Sequence, residues 1–494
     1  MIKFIPAASN AWSRPRLLKK KKKAYGFPGT KKDRICSKII EYGILAVLIF
    51  SPLPAASVYE WSILVLEIAV FTMLGVYILM KHRPILPPGQ ESVMRKLRFL
   101  FGGFFVYLIF QMLPLPAFIV KIISPGTYHF REQFSLGVQK AKFMTLSISP
   151  FHTFQEGMEV FTYVILGFLV IKTITEREQI KRIVTVLLAM GFFEAFYGLF
   201  ELYRDNPRIL FYKKEINLHA VTGTFVNQNH LTGYLEMIIP LVIGLIIAKM
   251  DIILRTRARL KDKMAVIAEK GFALNFVLGG FVIFMTVGLV LTRSRSAVFS
   301  IVVMFLMFSY LSVFYFRGGG TSQSGLRKFI QIFFVFIIIF AAYAGIDATL
   351  ERFSKEGLPG GQRPQYWAHT FEMAKDYPVF GTGLGTFALV YPAYEDIGLY
   401  GFLRHAHNDY LEYFSELGVI GFAFLAGGVF LMVLLSFARW RKKRDPWVKG
   451  VSMGCFVSLA VIAVHSFTDF NLHIPANMVL FTMIVTLCWV LNRR

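Results

Sequence analysis

The stretch FVIFMTVGLVLTRSRSAVFSIVVMFLMF, residues 281–308, is two apolar runs joined by a few polar residues, with Arg293 and Arg295 in the joint. Extended outward, the runs cover 272–291 and 297–316. Each is about twenty residues, the length an α-helix needs to cross the hydrocarbon core of a bilayer. Only helices and closed barrels satisfy their backbone groups there, and a barrel shows short alternating segments instead of long runs. The segment therefore predicts a transmembrane helical hairpin.

The same pattern fills the chain. Its 494 residues are 55% hydrophobic and 17% charged, with 51 Phe, more apolar surface than a soluble protein of this size can hide. Further runs lie near 39–56, 60–80, 99–122, 158–172, 183–202, 231–248, 329–347, 411–437, 450–468 and 475–491. Together they predict an all-α polytopic membrane protein of about 12 helices.

The formal net charge of +24 raises a nucleic-acid reading, which the positions of the charges remove. With the N-terminus in the cytoplasm, every second connector should carry Lys and Arg. Those connectors are 81–98, 173–182, 249–271, 317–328, 438–449 and the tail Arg493–Arg494, and all are basic. Both termini are therefore expected in the cytoplasm. Residues 1–38, with the run Lys19–Lys23, read as a basic cytoplasmic tail, and no cleavable signal is apparent. Spans one to nine occupy 39–347, a large periplasmic loop 348–410, and spans ten to twelve 411–494. A loop that long and rich in aromatic residues is expected to be ordered and functional. Cys36, Cys455 and Cys488 have neither metal nor disulfide spacing.

On this topology the unusual residues fall on the outer face. Arg293 and Arg295 sit in a tight outer turn, against the positive-inside trend, where a guanidinium fork suits a lipid phosphate or diphosphate. Arg363 precedes Trp367 by four residues, so a helix there would put both on one face. His407 is followed by Asn408 and Asp409, both plausible helix N-caps, and an imidazole is the usual general base for a hydroxyl. His465, Asp469 and His473 are spaced by four, but Pro475 and the turn-like DFNLHIPAN interrupt a helix, so no metal site is expected. GTGLGTF (381–387) lacks the strand–turn–helix context of a nucleotide loop, and no cofactor is expected. Glu236, Glu412 and Glu416 are expected to hydrogen-bond within the bundle.

Several of these stretches together resemble the O-antigen ligase and polymerase family, bacterial inner-membrane glycosyltransferases that use undecaprenyl-diphosphate-linked glycans. His407, Asn408, the nine residues DYLEYFSEL, Gly418 and Gly421 fit the ligase-type histidine motif. SRSA is similar to the family's Ser-Arg motif and points to Arg295; RPQYW resembles its Arg-x-x-x-Trp and points to Arg363. TGTFVNQNHLTGYLEM and HSFTDFNLHIPAN resemble two further family stretches, so the likeness runs from about residue 145 to 480. Relatives often carry an Arg about three residues before GTF, where this chain has Ala220 beside His219.

The resemblance implies an inverting, metal-independent transfer on the periplasmic side. Arg295, Arg363 and Arg293 would bind the diphosphate and His407 would act as base. Asn227, Asn229, His230, Asn408 and His219 would contact the substrate. The donor would be an undecaprenyl-diphosphate-linked glycan and the acceptor either the lipid A core (a ligase) or a second carrier-linked glycan (a polymerase). Protein O-oligosaccharyltransferases rank lower. A non-catalytic transporter is the competing class, disfavoured because no repeated halves are visible.

Overall fold

The computed structural model describes residues 29–82, 90–134, 141–255, 272–315, 363–395 and 402–493. Fifteen helices run through them. The first seven are α1 (Lys31–Phe50), α2 (Glu60–Ile78), α3 (Glu91–Met112), the short α4 (Ala117–Ile123) and α5 (Pro125–Phe134), α6 (Pro150–Thr173) and α7 (Arg177–Leu202). Next come α8 (Gln228–Arg255), α9 (Phe272–Leu291), α10 (Arg295–Tyr315), α11 (Arg363–Asp376) and α12 (Phe387–Val390). The chain closes with α13 (Asp409–Trp440), α14 (Pro446–His465) and α15 (Pro475–Asn492). Two antiparallel ladders of two residues per strand are the only sheet among the described residues.

The molecule is an all-α polytopic membrane protein. Eight described helices, α2, α6, α7, α8, α10, α13, α14 and α15, are long and apolar enough to cross a membrane. Helices α1, α3 and α9 also fall on expected runs, and the ninth expected run, 329–347, lies outside the described residues.

The centre is α8, α14 and α15. Their apolar windows are 89%, 78% and 83% buried, against 28% for α2 and α13, so these three are wrapped by the rest. Small residues let α8 and α14 approach closely. A Cβ on Gly454 would stand 2.6 Å from the Pro240 carbonyl oxygen, and the Ser458 hydroxyl donates to the Met237 carbonyl at 2.5 Å. Without water to drive association, such backbone proximity is how membrane helices gain packing energy.

Helix α13 breaks at Gly418, whose φ of 58° and ψ of −175° suit glycine almost alone. The VFGTGLGTF segment fills the break. Thr382 and Gly383 donate to the carbonyls of Ser415 and Glu416, while Val419 donates to Pro378. The hydroxyl of Tyr107 on α3 closes the joint by reaching the carbonyls of Phe380 and Leu417. The glycine-rich stretch is thus a structural wedge that sets the tilt of the first turns of α13.

Candidate functional site

Polar residues converge at one end of the bundle, where α8, α10, α11, α13 and α15 begin and α14 ends. Their hub is Asp469, fully buried in the turn between α14 and α15. Pro475 stops any continuous helix through this turn, and that frees the Asp469 side chain to face inward. One oxygen accepts from Arg363 Nη2 at 3.1 Å and Asn229 Nδ2 at 2.8 Å. The other lies 3.2 Å from His407 Nδ1 and accepts its own chain's Phe470 N–H. Burial alone would raise the carboxyl's pKa. The His407 hydrogen bond and the Arg363 guanidinium outweigh that and hold it well below the usual carboxylate range.

In the neutral imidazole, a carboxylate at Nδ1 favours the tautomer with the proton there and the lone pair of His407 on Nε2. The residue has φ of 50°, a left-handed conformation uncommon outside glycine. It is held there by the Trp367 indole, which donates to the His407 carbonyl at 3.1 Å, and by Asn408, whose side chain caps α13 at Leu411. The His407 ring keeps 24% exposure, so a basic nitrogen is fixed in orientation yet reachable.

Arg363 opens α11 and also donates from Nη1 to the Thr468 carbonyl. The expected helix is present, and Arg363 and Trp367 both reach the 407–469 junction from one face of it. Asn229 and His230 sit on the first turn of α8. Asn229 bonds Asp469, and the buried His230 holds its Nε2 at 3.9 Å from the same carboxylate. Asn227 accepts from the Asn229 N–H and shapes the start of α8. Arg293, exposed with φ of 54°, and half-buried Arg295 occupy the turn between α9 and α10, which Thr292 ties to Thr232 of α8 at 2.9 Å. His219 is exposed, and among the described residues it makes no hydrogen bond to the Asp469 cluster. Beside it, the buried Lys214 ammonium donates to the Ala220 carbonyl at 2.8 Å.

His465, Asp469 and His473 diverge. His465 pairs with Glu236 at 2.9 Å in the bundle interior, where Ser300 also bonds Glu236, and His473 pairs with Asp409 at 2.8 Å. Glu416 accepts from the Phe387 N–H at the head of α12. The role of Asp469 escapes sequence reasoning because its partners come from three distant segments. Its one signal is that it is the sole acidic residue in the turn between two apolar spans. Phe470 was equally hidden: its ring meets His407 and His230 edge-on and stacks on His405 at 4.2 Å.

Below this end lies an apolar cavity of about 760 Å³. Val160, Phe422, Val429 and Phe481 line it, and Asp409, Tyr410 and Tyr413 stand along its wall.

Fold and site define a multi-pass membrane protein with a histidine–carboxylate–arginine centre at one end of its bundle. Residues 280–426 match the family model for O-antigen ligase, and over that stretch the chain is similar to this family of membrane enzymes. The matched residues include the last part of α9, all of α10, Arg363, His407 and the break at Gly418. Comparison with curated proteins gives no match.

Proposed function

We propose that this protein transfers a glycan from an undecaprenyl-diphosphate carrier to a sugar hydroxyl at the periplasmic face of the inner membrane, as an O-antigen ligase does. The observation that carries the proposal is the His407–Asp469–Arg363 constellation, which joins an oriented base to a guanidinium. His407 Nε2 takes the proton of the acceptor hydroxyl as its oxygen attacks the anomeric carbon. The bond from that carbon to the diphosphate breaks, the electron pair leaves with the diphosphate, and the centre inverts. Arg363, with Arg295 and Arg293 from the neighbouring turn, stabilises the charge that builds on the leaving group, the task for which preorganised donors in a water-poor site are most effective. No step passes through a metal. Asn229, His230, Asn227 and Asn408 frame the sugar side of the site, and the apolar cavity suits the hydrocarbon of a lipid-linked substrate.

Asp469→Asn should lower kcat by about 10²–10⁴-fold with KM little changed, because an amide oxygen does not hold the Nδ1–H tautomer as a carboxylate does. Steady-state kinetics with carrier-linked glycan check this, and a variant with wild-type kcat would remove Asp469 from the mechanism.

Mass spectrometry of carrier-linked glycans in a strain lacking the protein tests the activity. Long polymers stranded on the carrier are expected. Single repeat units would overturn the ligase assignment in favour of a polymerase, which uses the same site with a second carrier-linked glycan as acceptor. An unchanged pool, in a strain without a second homologue, would reject glycosyl transfer from this carrier.

A further inference from the structure

A second titratable cluster lies on the far side of Phe470 from His407 and takes no part in the proposed transfer. Its core is His405, Glu412 and His473, whose ligand-capable atoms all lie within 4.8 Å of one another. His405 Nδ1 is 2.8 Å from Glu412 Oε1, and His473 Nε2 is 3.5 Å from the same oxygen.

The second of these distances is informative. It exceeds the usual range of an N–H···O hydrogen bond, about 2.7–3.2 Å. It does match the edge of a tetrahedron around zinc, where ligands at about 2.1 Å stand about 3.4 Å apart. His473 Nε2 is buried and without a hydrogen-bond partner. Its other nitrogen faces Asp409 Oδ1 at 2.8 Å, so in the neutral ring Nε2 aims a lone pair at a carboxylate oxygen. Two acceptors in that relation repel each other, and either a proton on Nε2 or a metal cation between them relieves it.

The surroundings are those of a built site. Asp409 orients His473 as carboxylates orient metal-bound histidines, and is itself fixed by the Leu472 N–H at 3.1 Å. Glu412 Oε2 accepts the Ala406 N–H at 2.7 Å, leaving Oε1 toward the imidazoles. Tyr413 stacks on His473 at 4.3 Å and Phe470 on His405 at 4.2 Å, so both rings are held in place. Asp409, Glu412 and Glu416 are buried here.

We propose that His405, Glu412 and His473 bind a divalent cation, with zinc the ion that best suits two imidazoles and a carboxylate. The ion fastens the segment bearing His407 to the turn bearing Asp469, since His405 lies two residues from the first and His473 four from the second. Its part is to hold that pair in register, and binding does not depend on whether glycosyl transfer is the activity.

The test is elemental analysis of the full-length protein purified in detergent, exposed to zinc and then exchanged into metal-free buffer. About one zinc per chain is expected, falling at least tenfold in His405→Gln and His473→Gln and unchanged in His129→Gln, which alters an exposed histidine elsewhere. Cobalt(II) added to the metal-free wild-type protein should give the visible absorption of a four-coordinate site, a readout that needs no variant to fold. Absence of both zinc and cobalt absorption from the wild type would overturn the proposal and leave a hydrogen-bonded, protonated cluster. Equal zinc in the double variant H405Q/H473Q would overturn it as well, by placing the metal elsewhere.

Discussion

Replacing His407 with alanine should reduce turnover by about 10²–10⁴-fold while the protein stays folded and still binds carrier-linked glycan. Folding should survive because Asp469 retains Arg363 and Asn229 after the imidazole is gone, so no buried charge is left without a partner. The neighbours that shape this turn, Trp367 on the backbone carbonyl and Asn408 as the cap of α13, do not use the imidazole either. Single-turnover assays with carrier-linked donor, set beside a binding measurement on the same preparation, separate chemistry from affinity. Loss of binding with the rate per bound complex unchanged would make His407 a binding residue. Wild-type turnover would return the non-catalytic reading of the chain to the front.

Gly418→Val is expected to fail at an earlier level, by preventing the folded bundle from forming in normal yield. A valine there must adopt φ of 58° with ψ of −175°, a conformation that costs about 1–3 kcal/mol outside glycine. Its Cβ would also overlap the Val379 carbonyl oxygen, forcing the wedge away and adding about 1–3 kcal/mol of overpacking. Displacing the wedge further strands the Ser415 and Glu416 carbonyls that Thr382 and Gly383 now satisfy. Thermal unfolding in detergent and the monodisperse yield should both drop sharply, whereas His407→Ala should leave both near wild type. A Gly418→Val protein with the wild-type unfolding temperature would mean that the break in α13 is not what holds the wedge.

These two positions belong to one sequence motif, and they differ in how openly the sequence declares them. His407 is legible because an imidazole between an outer loop and an apolar span has few ordinary uses. Gly418 is visible as a letter, but the reason for it is not. The stretch that fills the break, GTGLGTF, carries no local mark of its purpose and becomes intelligible only as the partner of a helix whose hydrogen bonds are interrupted. Arg363 and Trp367 could be placed on one helical face from their spacing. That both would meet the His407–Asp469 junction could not.

What the sequence determined by itself is the membrane-spanning helical architecture, because a bilayer leaves twenty apolar residues few ways to satisfy their backbone. It also determined which residue types are out of place in such spans, and so where a site should be sought. Tertiary structure alone decided that Asp469 is the hub and that His473 and His405 form a separate cluster with Glu412. The physical reason is range. Backbone satisfaction and helical spacing act over a few residues and can be read along the chain. A buried carboxylate is instead defined by the donors that surround it, and those of Asp469 come from residues 229, 363 and 407, which only packing brings together.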